Sequence, residues 1–159
     1  ATHLDVVIFD KTGTLTLGKP EVVEVVAVPG RTNEQVLSLT AGMERHSEHP
    51  LAHAILAKAQ DIAEIILAEG FTNIDGMGAR ALSEGEPALA GNCRLMDSEQ
   101  VDILGLEGEA ERLAAGGRTV VHIARAGRLW WLIAIADAPR PTSAAAVKAL
   151  QDRAWKWPC

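Results

Sequence analysis

Cysteine is scarce in this chain. Cys93 and Cys159 are the only two among 159 residues, too few for a disulfide framework, so a reducing compartment is expected. Positive charge is in deficit as well. With 15 Lys and Arg against 21 Asp and Glu the formal charge is −6, whereas a general nucleic-acid binder needs a basic face to neutralise phosphates. No nucleic-acid partner is expected. Long hydrophobic runs are missing: the longest, Leu129 to Ala136, falls far short of the ~20 residues that span a bilayer. A charged-then-apolar leader, internal repeats and low-complexity tracts are absent too. The chain is expected to be soluble, and any membrane pathway would lie elsewhere.

What is present suits one domain, or one domain plus part of another. Val6 to Phe9 form an unbroken apolar run that reads as a buried strand over Leu4 to Asp10. The Thr-, Gly- and Pro-containing stretch from Lys11 to Pro20 reads as a loop, and Glu21 to Val28 as a β-branched strand. Thr32 and Gln35 make a capping box for a helix through Val36, Leu37, Leu39 and Met43. Pro50 opens a second helix, expected to extend as far as Ala68. From Phe71 onward, short β-like pieces broken at Asp75-Gly76, Gly78, Gly85 and Gly91 read as hairpins. A helix over Glu107 to Ala115 is closed by Gly116-Gly117. Thr119 to Arg125 and Leu129 to Asp137 form a hairpin about Ala126-Gly127. A last helix runs from Pro141 towards Asp152. The fold class is α/β (α+β): an antiparallel sheet flanked by helices, with the first strand assigned to a different sheet. Trp130-Trp131 reads as packing.

The chemistry is concentrated in Asp10-Lys11-Thr12-Gly13-Thr14-Leu15-Thr16. Asp10 ends a buried strand, where α/β folds hold ligands, and a carboxylate there can attack a phosphoryl group to give an aspartyl phosphate. Lys11 offsets phosphate charge, Gly13 admits close backbone approach, and Thr12 and Thr14 offer hydroxyls and amides. A lone Asp-Lys pair would be an ordinary turn; seven such residues in succession are far more specific.

This run resembles the phosphorylation signature of the P-type ATPases, and further motifs point to their heavy-metal-transporting branch. Glu44-Arg45-His46-Ser47-Glu48-His49-Pro50-Leu51-Ala52 is similar to that branch's Ser-Glu-His-Pro-Leu-Ala motif, with Glu44 and His49 at the positions of the adenine pocket. Gly76 and Gly78 match its Gly-x-Gly, where backbone approaches the nucleotide. Gly91-Asn92 resembles another short motif of the pocket, with Asn92 near the ribose or phosphates. Asp137-Ala138-Pro139-Arg140 resembles the Asp-Pro-Pro-Arg hinge, with Asp137 and Arg140 facing the cleft.

The resemblance implies residues 1–17 as the first strand and loop of a haloacid-dehalogenase-like, Rossmannoid phosphorylation domain. Residues 18–134 would be the nucleotide-binding domain, 135–153 the hinge and re-entry helix, and 154–159 a tail foreign to the family. It further implies ATP as ligand, with Asp10 phosphorylated and Mg²⁺ held at Asp10 and Thr12 in an intact pump. Actuator, membrane and remaining phosphorylation domains would be its partners, and this portion would lie on the cytoplasmic side. Copper is the expected cargo, from the form of the histidine motif.

Two alternatives remain open. A haloacid-dehalogenase-like phosphatase would usually carry a second Asp at the position of Thr12, and a threonine there favours a longer-lived phosphoenzyme. A metal-binding module could use His46, His49 and His53, although Pro50 interrupts them.

The family's Thr-Gly-Asp, Gly-Asp-Gly-x-Asn-Asp, Thr-Gly-Glu and Cys-Pro-Cys runs are not found, so nucleotide binding without phosphorylation is expected. The tail Ala154-Trp155-Lys156-Trp157-Pro158-Cys159 back-translates, one base earlier, to Gly-Leu-Glu-Val-Ala-Met-Leu, the strand the family has there. A one-base deletion in the encoding DNA is the expectation.

Overall fold

The computed structural model describes residues 16–45, 47, 49–60, 65–139 and 142–154. The chain divides into two compact units, residues 20–136 in one and residues 1–19 with 137–159 in the other. The expected strand over Leu4 to Asp10 and the tail after Ala154 lie outside the described residues.

Six strands form one sheet: β1 (Thr16–Ala27), β2 (Ala68–Ile74), β3 (Gly78–Ser83), β4 (Glu86–Gly91), β5 (Thr119–Arg125) and β6 (Arg128–Pro139), in the order β1-β6-β5-β4-β3-β2. The ladders β2–β3, β3–β4, β4–β5 and β5–β6 are antiparallel. Five helices accompany them: α1 (Asn33–Glu44), α2 (Pro50–Lys58), α3 (Cys93–Ser98), α4 (Glu107–Ala114) and α5 (Ser143–Ala154).

Strand periodicity sorts the core of the larger unit onto two faces. Val121, Ile123, Trp131, Ile133 and Ile135 pack with Val36, Leu39 and Met43 of α1 and Ile55 of α2. On the other face Leu89, Leu132 and Ala134 pack with Leu95 and Met96 of α3 and Leu113 of α4. Each such aliphatic side chain, fully buried, is worth roughly 1.5–3 kcal/mol over its exposed state. Trp131 is fully buried, while Trp130 is half-buried under the Arg31 guanidinium, 3.8 Å from its ring centre. The two indoles meet edge to face at 5.0 Å.

Local signals hold where they are strongest. The capping box of α1 is complete: Gln35 N–H donates to Thr32 Oγ1 at 3.3 Å and Thr32 N–H to Gln35 Oε1 at 3.2 Å. Ala126 and Gly127 both have positive φ, giving the tight β5–β6 turn.

Three expectations are corrected. The segment Lys11 to Pro20 is not a loop throughout, because β1 begins at Thr16. Its edge position accommodates Gly18 and Pro20, which an inner strand would not. The second helix stops at Lys58 rather than reaching Ala68. Tertiary contact overrides the apolar pattern there. Ile66 N–H donates to Ser38 Oγ at 2.8 Å, and its carbonyl lies so close to Gly42 of α1 that a Cβ there would stand 1.8 Å away. Finally, Cys93–Ser98 forms a helix that was not anticipated. Asn92 caps it, with Leu95 N–H donating to Asn92 Oδ1 at 3.1 Å.

No described helix is long and apolar enough to cross a membrane.

Candidate functional site

Within the larger unit, a cavity of about 340 Å³ opens between the α1–α2 junction and the β2–β3 turn. Six residues singled out from the sequence line it together: Glu44, His49, Gly76, Gly78, Gly91 and Asn92. Small residues make its sheet wall. Ala79 and Ala90 are cross-strand partners beside the Gly78–Gly91 pair, so the sheet leaves a hollow where larger side chains would meet α2.

Glu44 is the last residue of α1 and is half-buried. Burial raises its pKa above the ordinary 4.5, and a hydrogen bond from Ser47 and the nearby His49 counter only part of that rise. His49 is the N-cap of α2, its Nδ1 accepting from Leu51 N–H at 3.2 Å. With Nδ1 accepting, Nε2 is the ring's N–H, so an N–H donor stands beside an acceptor carboxyl. Donor and acceptor together suit the edge of a nitrogen heterocycle.

The glycines have a reason inside the fold. A Cβ on Gly78 would stand 2.2 Å from Ala90 O, and one on Gly91 2.2 Å from Met77 O. Gly78 also has φ +142°, a conformation disfavoured for L side chains. Only Gly76, at φ +69°, has room on its Cβ side, with an Arg94 guanidinium nitrogen nearest at 4.0 Å. Asn92 straps this turn down. Its Nδ2 donates to Gly76 O at 2.9 Å and its backbone N–H to Met77 O at 2.9 Å, while Arg94 donates to the same Gly76 oxygen at 2.8 Å. The Asn92 carboxamide thus holds backbone on both sides, organising the cavity wall.

The other sequence candidates fall elsewhere. Asp10, Lys11, Thr12, Thr14, Arg140 and His46 lie outside the described residues. Asp137, in the smaller unit, accepts from Thr16 Oγ1 at 2.6 Å through Oδ2, while its Oδ1 is buried with no hydrogen-bond partner among the described residues. His53 is exposed one turn beyond His49, and no group of three His, Cys, Asp or Glu among the described residues could hold a metal ion. Sequence reading missed Asn73 and Thr119 as lining residues and gave Ser47 no role. Ser47 stood inside the quoted motif; the other two carry no local signal, since only the ladder brings them to the cavity.

Residues 4–157 match the haloacid dehalogenase-like hydrolase family. The chain is 40% identical over 154 residues to a copper-exporting P-type ATPase of Vibrio cholerae, covering 96% of this chain and 17% of that protein. It therefore spans about one-sixth of that relative's length. Among solved structures it is similar to a zinc-transporting PIB-type ATPase in its E2.Pi state, with a TM-score of 0.76 and 32% identity over 90% of this chain and 23% of the other. The N-domain of a copper-transporting P-type ATPase has the same fold, with a TM-score of 0.62 and 24% identity, covering 74% of this chain and 99% of that domain. The chain belongs to the haloacid dehalogenase-like hydrolase family, and within it is similar to part of the P-type ATPases.

Proposed function

We propose that the cavity binds the adenine base of ATP and that the chain is the nucleotide-binding portion of a heavy-metal pump, with copper as the cargo. One observation carries this reading. Six residues spread over nearly fifty positions of sequence converge on one hollow, with a burial-perturbed carboxyl beside an imidazole N–H donor. The Glu44 carboxylate would accept from the exocyclic amine of adenine, and the His49 ring would donate to or stack on the purine. Gly76 offers the open stretch of backbone. In the intact protein Asp10 would be the phosphorylated nucleophile, with Lys11, Thr12 and Thr14 around the phosphoryl group and Mg²⁺ at Asp10 and Thr12. Asp137 and Arg140 would belong to the hinge. The copper P-type ATPase relatives support the cargo, and their greater length leaves room for actuator and membrane domains.

Calorimetric titration of the 159-residue chain with ATP and, separately, with inosine triphosphate tests the base-recognition claim. ATP is expected to bind more tightly, because the 6-oxo group of hypoxanthine offers no proton to Glu44. Equal affinity for the two would remove Glu44 from base recognition.

A further inference from the structure

None of the described residues lining the cavity is Lys or Arg, and Glu44 adds an acidic group to its wall. A nucleoside triphosphate brings several negative charges of its own, so its phosphates need a cation that the wall does not supply. One guanidinium stands at the rim. Arg94, an exposed residue of α3, donates from Nη2 to Gly76 O at 2.8 Å, and Gly76 lines the cavity. The same nitrogen is the nearest atom to the open side of Gly76, 4.0 Å from where a Cβ would stand. Asn92 shares that acceptor, its Nδ2 donating to Gly76 O at 2.9 Å while its Oδ1 accepts from Leu95 N–H at 3.1 Å. Its carboxamide is thus committed to backbone at both ends. Arg94 is placed differently. Arg80 is paired with Glu99, Arg125 with Glu84, and Arg112 and Arg118 with Glu24, whereas Arg94 has no carboxylate partner among the described residues.

We propose that Arg94 receives the polyphosphate of the bound nucleotide. This role rests on the nucleotide reading of the cavity and deepens it: the base lies by Glu44 and His49, and the phosphates leave past Gly76 towards the guanidinium. A guanidinium carries five N–H donors in a rigid fork, and a backbone carbonyl here engages one nitrogen of it. The donors that remain match phosphate oxygens two at a time. Anchoring to Gly76 O orders the long side chain before the ligand arrives, which lowers the entropy lost on binding. Gly76 has room on its Cβ side, as a phosphate chain passing along the turn requires. The contact is electrostatic and lies away from the base. It therefore separates ATP from adenosine rather than one base from another, and it weakens as salt screens it.

The test titrates the whole chain with adenosine and with ATP, in metal-free buffer at low and high salt, and follows binding by amide chemical shifts. Wild type is compared with R94Q and R94K. Gln can still donate to Gly76 O, so R94Q removes the charge and spares the turn; at an exposed position both variants should melt near wild type. Wild type binds ATP more tightly than adenosine, by a margin that shrinks at high salt. R94Q loses about tenfold in ATP affinity, equivalent to ~1.4 kcal/mol, and keeps its adenosine affinity. R94K, which keeps the charge without the fork, recovers part of the loss. Unchanged ATP affinity in R94Q overturns the role of Arg94 and leaves the nucleotide reading standing. Equal losses for ATP and adenosine do the same, because Arg94 would then act through the turn alone. A wild type that binds neither ligand overturns the nucleotide reading, and the role of Arg94 with it.

Discussion

Gly78 and Gly91 face each other across the β3–β4 ladder, and neither position has space for a side chain. The glycines first bring two backbones together, and the hollow above them is a consequence. Gly78→Ala is therefore expected to cost about 2–4 kcal/mol, from overpacking against Ala90 O and a strained φ. Gly76→Ala, strained in φ but sterically free, should cost about 1 kcal/mol. Thermal melts of the two variants check the difference. Equal melting temperatures would show that β4 can yield.

Glu44 carries a cost for stability. Its folded pKa is raised, chiefly by burial, so between 4.5 and that higher value the folded state holds more protons than the unfolded one. Its contribution is fully present below 4.5 and is lost as pH rises through the folded value. Glu44→Gln should flatten that slope and leave the variant more resistant to urea than wild type at neutral pH, while ATP affinity falls about tenfold. Denaturation at pH 4, 6 and 8 measures the first effect and calorimetry the second. A variant less stable than wild type at pH 8 would contradict the prediction.

His49 serves two purposes that substitution can separate. Its ring is the N-cap of α2, and the same ring lines the cavity. His49→Asn keeps a short capping acceptor and should melt near wild type. His49→Ala should lose about 1 kcal/mol. Both should weaken ATP binding, because both remove the imidazole. Full affinity in the Asn variant would assign His49 to capping alone.

His122, on β5 opposite Gly91, is buried with its Nδ1 lacking a hydrogen-bond partner among the described residues. Burial holds its pKa below the usual 6.5, with Asp97 on α3 opposing in part. Its contribution to stability is full above 6.5 and is lost as pH falls through the lower folded value. His122→Leu should remove this acid sensitivity, so that urea midpoints at pH 7 and pH 5 lie closer together than in wild type. An unchanged gap between the midpoints would place the acid sensitivity elsewhere.

How much the sequence revealed depended on the range of the interaction. The Thr32 capping box, the Gly116-Gly117 stop and the Ala126-Gly127 turn are local, and each was legible from a few neighbouring residues. The end of α2 was not, because docking of the Ile66 backbone against Gly42 and Ser38 is tertiary and no nearby residue announces it. Helix α3 could have been read from Asn92 followed by Leu95 and Met96, a cap with apolar residues at helical spacing. At the candidate site, Glu44, His49 and the glycines were legible because they stand in recognisable motifs. Asn73 and Thr119 were not, since only strand register brings them to the cavity wall. The glycine motif does not announce a second reason for Gly78 and Gly91, that their close partner in the fold is backbone of this chain.

Adenine-nucleotide binding in the α1–α2/β2–β3 cavity is tested most directly by amide chemical-shift mapping during an ATP titration of the whole chain. Shifts should concentrate at Glu44, Ser47, His49 and Leu51, at Gly76 to Ala79, and at Gly91 and Asn92, and should saturate along one binding curve. Amides of α4 and of the β5–β6 turn should stay still. Saturable shifts centred away from the cavity, or none at millimolar ATP, would contradict the assignment.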